Sequence, residues 1–407
     1  MALIVMKFGG SSVADVPCVQ RVANHIIRAR QSGNDVVVVV SAMGKTTDEL
    51  ISLARGVNSK PVGREMDMLI SAGEQISSAI LTMALQARQV EAVSLTGGQA
   101  GIYTDDDHTK AKIRRIDPDP IRKMLEKSHI VIVAGFQGLT SEQNIATLGR
   151  GGSDLTAVAL AAVLKADRCQ IYTDVEGVYT ADPGRVEKAI KLDEIIYDEM
   201  LELASLGAKV LQSRSVELAK KYSVEMEVLS SFTGNPGTVV KAEVTNMEEV
   251  VVRGVAADRD QAKITIRSVL DRPGIAARIF QDLAAASVNV DIIVQNISDK
   301  GHTDISFTVP LDDLSTARSV VSELTDEVEG AGIVVDENVA KVSMVGIGMR
   351  SHSGVAYRMF EALAESGINI EMISTSEIKV SVVIAREQAD CALQVLHDAF
   401  DLSATGA

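Results

Sequence analysis

Up to about residue 240, short runs of aliphatic and β-branched residues alternate with helical patterns. This alternation constrains the fold more than any other feature of the chain. Leu3–Phe8, Val36–Val40, Ala92–Leu95, Ile130–Ala134 and Gln170–Thr173 have the composition of buried parallel strands. Between them, Val19, Val22, Ala23, Ile26 and Ile27 fall on one helical face. The Ala-rich stretch Leu155–Lys165 follows Gly-Gly-Ser-Asp, which suits a helix start with Ser153 or Asp154 as its cap. Such alternation predicts an α/β sandwich with a mainly parallel sheet. The turn formers of Ser231–Thr238 read as the exit from this domain.

The last third carries an internal repeat. Aligning Lys263–Val309 with Lys341–Ile384 matches Gly274 with Gly354, Phe280 with Phe360, Leu283 with Leu363 and Asn289 with Asn369. All share one offset of about 80 residues. Each copy reads as strand, glycine turn, amphipathic helix, strand, strand. The pattern gives a duplicated α+β fold but no purpose for it.

Charge narrows the partners. Forty basic against 55 acidic residues leave a net charge of −15, aromatics make up 3% and tryptophan is absent. Nucleic-acid binding, which needs Lys and Arg against phosphates and rings against bases, is not expected. The opening MALIVMKFGG has too short an apolar stretch for a signal peptide and no basic leader. No run reaches the ~20 apolar residues of a membrane span. Cys18, Cys169 and Cys391 are scattered, with no CxxC pair. A cytoplasmic protein is expected.

Nucleotide signatures were tested against their chemistry. Gly44-Lys45-Thr46 resembles the end of a Walker A loop, but the position five before Gly44 is Val39. No GxGxxG follows a strand either. What remains are polar clusters at the ends of expected strands, where open α/β sheets bind ligands. Lys7-Phe8-Gly9-Gly10-Ser11-Ser12 pairs a cation with glycines whose amides can approach an anion, although a plain turn with a solvated lysine fits the segment equally well. Arg150-Gly151-Gly152-Ser153-Asp154 enters a helix whose N-terminus favours anions; taken alone, a capped loop explains it. Thr173 to Tyr179, then Asp182-Pro183-Gly184-Arg185, could stack on and neutralise a nucleotide, although turn chemistry explains most of it. Glu74 alone reads as a solvated helical residue.

Taken together, these clusters resemble the aspartate kinases. Lys7–Ser12 is similar to their KFGG[ST]S opening and Ser41-Ala42-Met43 with Thr47 to their second segment. Gly149–Asp154 is similar to their GRGGSD loop, Thr173–Pro183 to their nucleotide loop, and Gly207–Leu211 to their GAKVLH-like segment. The resemblance runs essentially end to end and identifies the repeat with paired ACT domains. It implies an amino-acid kinase-like αβα sandwich over 1–240 and ferredoxin-like ACT domains over 263–335 and 341–405. Two departures stand out: Gly184 intervenes before Arg185, and Gln212 replaces a histidine of many relatives.

The resemblance also implies transfer of the γ-phosphoryl group of ATP to the side-chain carboxylate of L-aspartate, with Mg²⁺ held by phosphates and water and no protein ligand named. Lys7 and Asp154 are then catalytic. Ser41, Thr47, Glu74, Arg150 and Ser153 bind aspartate. Lys7, Phe8, Gly9, Gly10, Gly152, Thr173, Asp174, Tyr179, Arg185, Lys209 and Val210 bind ATP. Lysine, threonine or both are implied as effectors. Candidate effector residues are Asp271, Pro273, Gly274, Ile275, Ala276, Gln295 and Asn296 in the first ACT copy. In the second they are Val355, Ala356, Asn369, Ile370, Ser376 and Glu377. Oligomerisation through the ACT domains is expected, or an α2β2 assembly with a small subunit begun near Met247. The alternatives are another amino-acid kinase, or a non-catalytic sensor retaining the fold; intact Lys7, Arg150 and Asp154 weigh against the sensor. A fused homoserine dehydrogenase is not expected, because no dinucleotide-binding segment occurs before Ala407.

Overall fold

The computed structural model describes residues 2–206, 210–244, 252–296, 301–324, 330–347, 349 and 354–404. The chain divides into two compact units, one of residues 1–179 and 191–247, the other of residues 180–190 and 248–405.

The first unit is built on an eight-stranded sheet. Its spatial order is Glu194–Ile196, Thr238–Lys241, Met226–Ser230, Arg168–Thr173, Leu3–Phe8, Asp35–Val40, Ile130–Ala134 and Ala92–Leu95. All the neighbouring pairs are parallel except Met226–Ser230 against Thr238–Lys241. Each of the five expected strands is present. They are apolar on both faces because both faces are covered. Met6, Phe8, Val38 and Ile132 pack against Val22 and Ile26 of helix Val16–Gln31 and Leu81 and Leu85 of helix Ala72–Gln86. The alternate residues Val5, Val37, Val39, Val131 and Val133 are equally buried, and helix Gly152–Leu164 crosses that face almost wholly buried. A smaller sheet, ordered Ile113–Ile116, Ile102–Thr104, Gln137–Leu139 and Ile145–Thr147, completes the unit.

One helical stretch, Gly63–Gln86, is long and apolar enough to cross a membrane by length and composition. It bends into two helices about Ser71, carries the buried Asp67 and Glu74, and has 56% of its apolar window inside the protein. These are the marks of a core helix.

Two local expectations are corrected. The turn at Ser231–Thr238 is not the exit; it closes a hairpin whose second strand, Thr238–Lys241, adds to the main sheet. Gly237 permits it, since a Cβ there would lie 1.9 Å from the Val228 carbonyl oxygen. Nor do Ser153 or Asp154 cap their helix. The cap is Gly151, at φ +69°, and both side chains fall inside the buried first turn.

In the second unit the two repeats share one sheet, ordered Ile293–Gln295, His302–Pro310, Gly254–Leu270, Gly332–Val345, Lys379–Ala385 and Met372–Thr375. Each copy carries a further helix beyond the expected pattern, Leu314–Leu324 in the first and Ala389–Ala399 in the second. The two long central strands run antiparallel and cross between the repeats. Gly254–Asp258 lies opposite Val345–Lys341, and Lys263–Arg267 opposite Asp336–Gly332. Val252 and Val255 therefore enter the core of the second repeat, while Ile333 and Val335 pack on that of the first.

Phe307 is fully buried in the first repeat's core, edge-on to Phe280 at 5.5 Å between ring centroids. Phe307→Ala should cost about 3–5 kcal/mol. Urea denaturation of the full chain checks this against Ile373→Ala, at a position 45% exposed; equal losses in the two variants would contradict the packing described.

Candidate active site

The C-terminal ends of neighbouring parallel strands bring the key groups of the first unit together. Lys7 sits near the end of strand Leu3–Phe8, and its Nζ lies 2.6 Å from Oδ1 of Asp154 in the first turn of helix Gly152–Leu164. Both side chains are about nine-tenths buried. The contact is a close, largely buried ion pair.

Beyond Lys7 the backbone turns through Gly9 and Gly10. The Gly9 amide donates to the Tyr172 carbonyl at 3.2 Å, and the Gly44 amide donates to the Gly10 carbonyl at 3.1 Å. A Cβ on Gly10 would stand 2.9 Å from the Ala42 carbonyl oxygen, so glycine is required for the two segments to close up. Phe8, stacked on Tyr172 at 4.6 Å, anchors the strand end from within the core.

Ser41 follows the adjacent strand, and its amide donates to the Phe8 carbonyl at 3.1 Å. The next residue, Ala42, donates its amide to Oε1 of Glu74 at 3.0 Å. Gly73 makes that approach possible, since a Cβ there would lie 2.7 Å from the Ala42 Cβ. Glu74 is 4% exposed, and its Oε2 is buried with no hydrogen-bond partner. Burial pushes its carboxyl from an ordinary 4.5 up to about 7, against the lowering effect of the Ala42 amide. One strand further on, Gly135 lets Ser153 approach; a Cβ there would be 2.8 Å from the Ser153 Oγ.

Lys7, Ser41, Glu74, Ser153 and Asp154 are thus held around the ends of three adjacent strands, Lys7 directly on Asp154 and the others through Phe8, Ala42 and Gly135. Thr173 ends the strand on the other side of Leu3–Phe8 and donates its hydroxyl to Asp174 at 3.1 Å. Gly152 begins the helix behind Asp154, and Thr47 lies half-buried in helix Thr46–Val57. Arg150 is exposed, with no ion pair among the described residues. Tyr179 is half-buried, its phenol pushed up first by burial and then by Glu176. Val210 is also half-buried. Lys209 and Met247 lie outside the described residues.

Arg185 belongs to the second unit, where it pairs with Asp182 at 3.4 Å and with Asp390 at 2.8 Å. Arg259 shares Asp390.

The candidate effector residues are also divided. Gly274, at φ +97°, and Gly354, at φ +108°, precede helices Ile275–Ala285 and Val355–Glu365, so the repeated glycines mark equivalent left-handed turns. Asp271, Pro273, Ile275 and Ala276 flank the first turn, and Val355 and Ala356 open the second helix. Gln295 and Asn296 sit at one edge of the six-stranded sheet. Ser376 and Glu377 follow the strand at the opposite edge, and Asn369 and Ile370 lead into it.

One group escapes sequence reasoning entirely. Asp67, fully buried, accepts hydrogen bonds from the Thr147 hydroxyl at 2.5 Å and the Thr109 amide at 3.0 Å, and pairs with His108 Nδ1 at 2.7 Å. It fixes the base of the Gly149–Asp154 loop from three separate segments. A lone Asp in a helical stretch gives no sign of partners 41 and 80 residues away.

Residues 2–230 match the amino acid kinase family, and residues 267–324 and 342–400 match the ACT domain. An aspartate kinase of Stutzerimonas stutzeri strain A1501 is 54% identical over 405 residues, 99% of this chain and 98% of that protein. Escherichia coli aspartokinase III in complex with aspartate and ADP superposes with a TM-score of 0.83 at 26% identity, covering 98% of this chain and 99% of that one. The same enzyme in complex with lysine and aspartate gives 0.75 at 27%, over the same shares. The chain belongs to the amino acid kinase family. Its full-length relatives place it among the aspartate kinases, with a pair of ACT domains after the kinase unit.

The Glu74 carboxyl yields a stability prediction. Its folded value lies above its unfolded one, so its contribution is fully present below about 4.5 and is lost as pH rises through about 7. Ligand-free wild-type protein should lose roughly 3 kcal/mol across that window from this group, and Glu74→Gln should remove that component. Urea titrations at pH 5 and pH 8 measure it; an identical pH dependence in both proteins would refute it.

Proposed function

We propose that the protein transfers the γ-phosphoryl group of ATP to the side-chain carboxylate of L-aspartate, giving 4-phospho-L-aspartate and ADP. The observation that carries this reading is the pairing of two buried groups of opposite use. Lys7 is a cation held by Asp154, and Glu74 is a carboxylate with one oxygen unsatisfied. A substrate with an ammonium group answers the second, and a moving phosphoryl answers the first.

The aspartate carboxylate is already ionised at neutral pH, so no strong general base is needed. Its oxygen forms a bond to the γ-phosphorus as the bond to the β,γ-bridging oxygen breaks, and ADP carries away the released charge. Catalysis rests on alignment and charge neutralisation. Lys7 neutralises the transferring group, Asp154 orients Lys7, and the Gly10 amide meets phosphate oxygens, while the Gly9 and Gly152 amides are held by the Tyr172 and Gly149 carbonyls and those two glycines serve by leaving room for the phosphates. Glu74 takes the α-ammonium through its open Oε2, Arg150 takes the α-carboxylate, and Ser41, Thr47 and Ser153 complete the orientation.

Phe8, Thr173, Asp174, Tyr179, Lys209 and Val210 form the nucleotide side in this reading. Arg185 is the remaining nucleotide candidate, and in the structure it pairs with Asp182 and Asp390. Mg²⁺ accompanies ATP and screens the triphosphate. In this reading the ion would be held by phosphate oxygens and water rather than by protein side chains.

The reaction is read as the first step of lysine, threonine and methionine synthesis in the cytoplasm, with end-product amino acids acting through the ACT repeats. The lysine complex of the E. coli relative supports an amino-acid effector, without deciding between lysine and threonine. The effector candidates lie at both edges of one sheet, so a second copy pairing along an edge would complete each set. We favour oligomerisation of that kind, with a small subunit begun near Met247 as the variant form. The kinase unit and the two ACT copies are assigned to 1–240, 263–335 and 341–405.

Lys7→Ala should lower kcat by roughly 10²–10³ while part of the nucleotide affinity survives. A coupled ADP-release assay with aspartate tests this, and near-wild-type turnover would sink the assignment. Glu74→Ala should raise the KM for aspartate about tenfold or more and leave that for ATP nearly unchanged. In the wild type, KM for aspartate should fall as pH rises through about 7, as Glu74 ionises to meet the ammonium.

A further inference from the structure

The first unit carries a cleft of about 460 Å³, lined by none of the proposed catalytic or substrate residues. Its volume lies within the range of small-molecule sites. Strand Ile113–Ile116 and helices Gly152–Leu164 and Ser213–Tyr222 form its walls.

Two chemistries meet there. Leu155, Ala159, Ala162 and Leu218 supply apolar surface, and Lys112, Arg114, Arg115, Arg214 and Lys221 border it with only Glu217 as an acid. Such a gathering of cations runs against the −15 charge of the chain. Arg114 is paired with Asp105. Arg115 lies over the Tyr103 ring at 4.4 Å and Lys221 over Tyr222 at 5.4 Å, neither ion-paired among the described residues. A neutral apolar ligand would leave these cations unused, and a compact polyanion would waste the apolar wall. The complementary ligand has an apolar body and one anionic head.

The same walls reach the Gly149–Asp154 loop. Arg214 donates to the Leu148 carbonyl at 2.5 Å and to the Ala111 carbonyl at 3.2 Å. Gln212, just before that helix, fills the space over Gly151, where a Cβ would lie 1.9 Å from its Cγ. Leu155, in the cleft wall, directly follows Asp154. A ligand that shifts helix Ser213–Tyr222 therefore shifts the loop that carries Arg150.

We propose that this cleft binds an amphipathic monoanion, an aromatic or branched aliphatic carboxylate or sulfonate, and that its occupancy alters the binding of aspartate. The coupling half rests on the function proposed above; the binding half does not. A coupled effector must bind one arrangement of the loop better than another, which shows as a changed substrate affinity.

The probe is 1-anilinonaphthalene-8-sulfonate with the full-length chain. Saturable fluorescence enhancement is expected, about tenfold weaker in Ala162→Phe, which fills the cleft, and in Lys112→Glu/Arg115→Glu, which reverses its charge. Thermal melting confirms that the variants are folded. Lysine and threonine should not displace the probe. Equal affinity in wild type and in both folded variants would overturn the site. In the kinase assay the probe should change KM for aspartate in wild type and not in Ala162→Phe, whose probe-free KM stays at the wild-type value. Binding that leaves KM unchanged would overturn the coupling. Loss of kinase activity in the wild type would count against the proposed function and leave the fluorescence result standing.

Discussion

A lysine taken out of water must be paired, and the fold of the first unit meets that demand with one contact. The Lys7–Asp154 pair joins the end of the central strand to the first turn of the most buried helix. Unpaired, either charge would cost several kcal/mol. Because the strand cannot slide and the helix cannot rotate without breaking the pair, it also sets the positions of Gly9, Gly10, Gly152 and Ser153. The near-continuous apolar strands around it exclude the water that would otherwise screen it.

Close packing of small residues does the rest. At Gly10, Gly73, Gly135 and Gly151, a single Cβ would meet Ala42, Ser153 or Gln212 at distances real atoms do not adopt. Segments far apart in sequence are thereby drawn close together. Glu74 shows the energetic consequence. Its carboxylate is buried and half satisfied, a condition that disfavours the empty charged site and favours one that holds a cation.

Much of this was legible in the residues. The strands at Leu3–Phe8 and Ile130–Ala134 coincide with their apolar runs because burial on both faces leaves no alternation to misread; Ala92–Leu95 coincides as well, although only Ala92 of this edge strand is buried. The duplication was visible because one offset preserves glycine, aromatic and aliphatic positions together. Glu74 was legible only through family resemblance; its helix alone suggested solvent. The hairpin at Ser231–Thr238 was mistaken for an exit because turn chemistry does not say which strand follows. Asp67 was invisible, since its partners come from other segments, and the ion pairs of Arg185 with Asp182 and Asp390 could not be read from the loop that carries it.

The crossing of Gly254–Leu270 and Gly332–Val345 has a consequence for how such a protein can be taken apart. Although two copies of one ancestral segment can be counted in the sequence, no single cut between them yields two whole lobes. Severing the chain anywhere from residue 271 to residue 331 leaves each half holding a strand that belongs in the other's core. Duplication created the pair, but the exchanged strands made it indivisible. Heredity can now shuffle the pair only as a single piece.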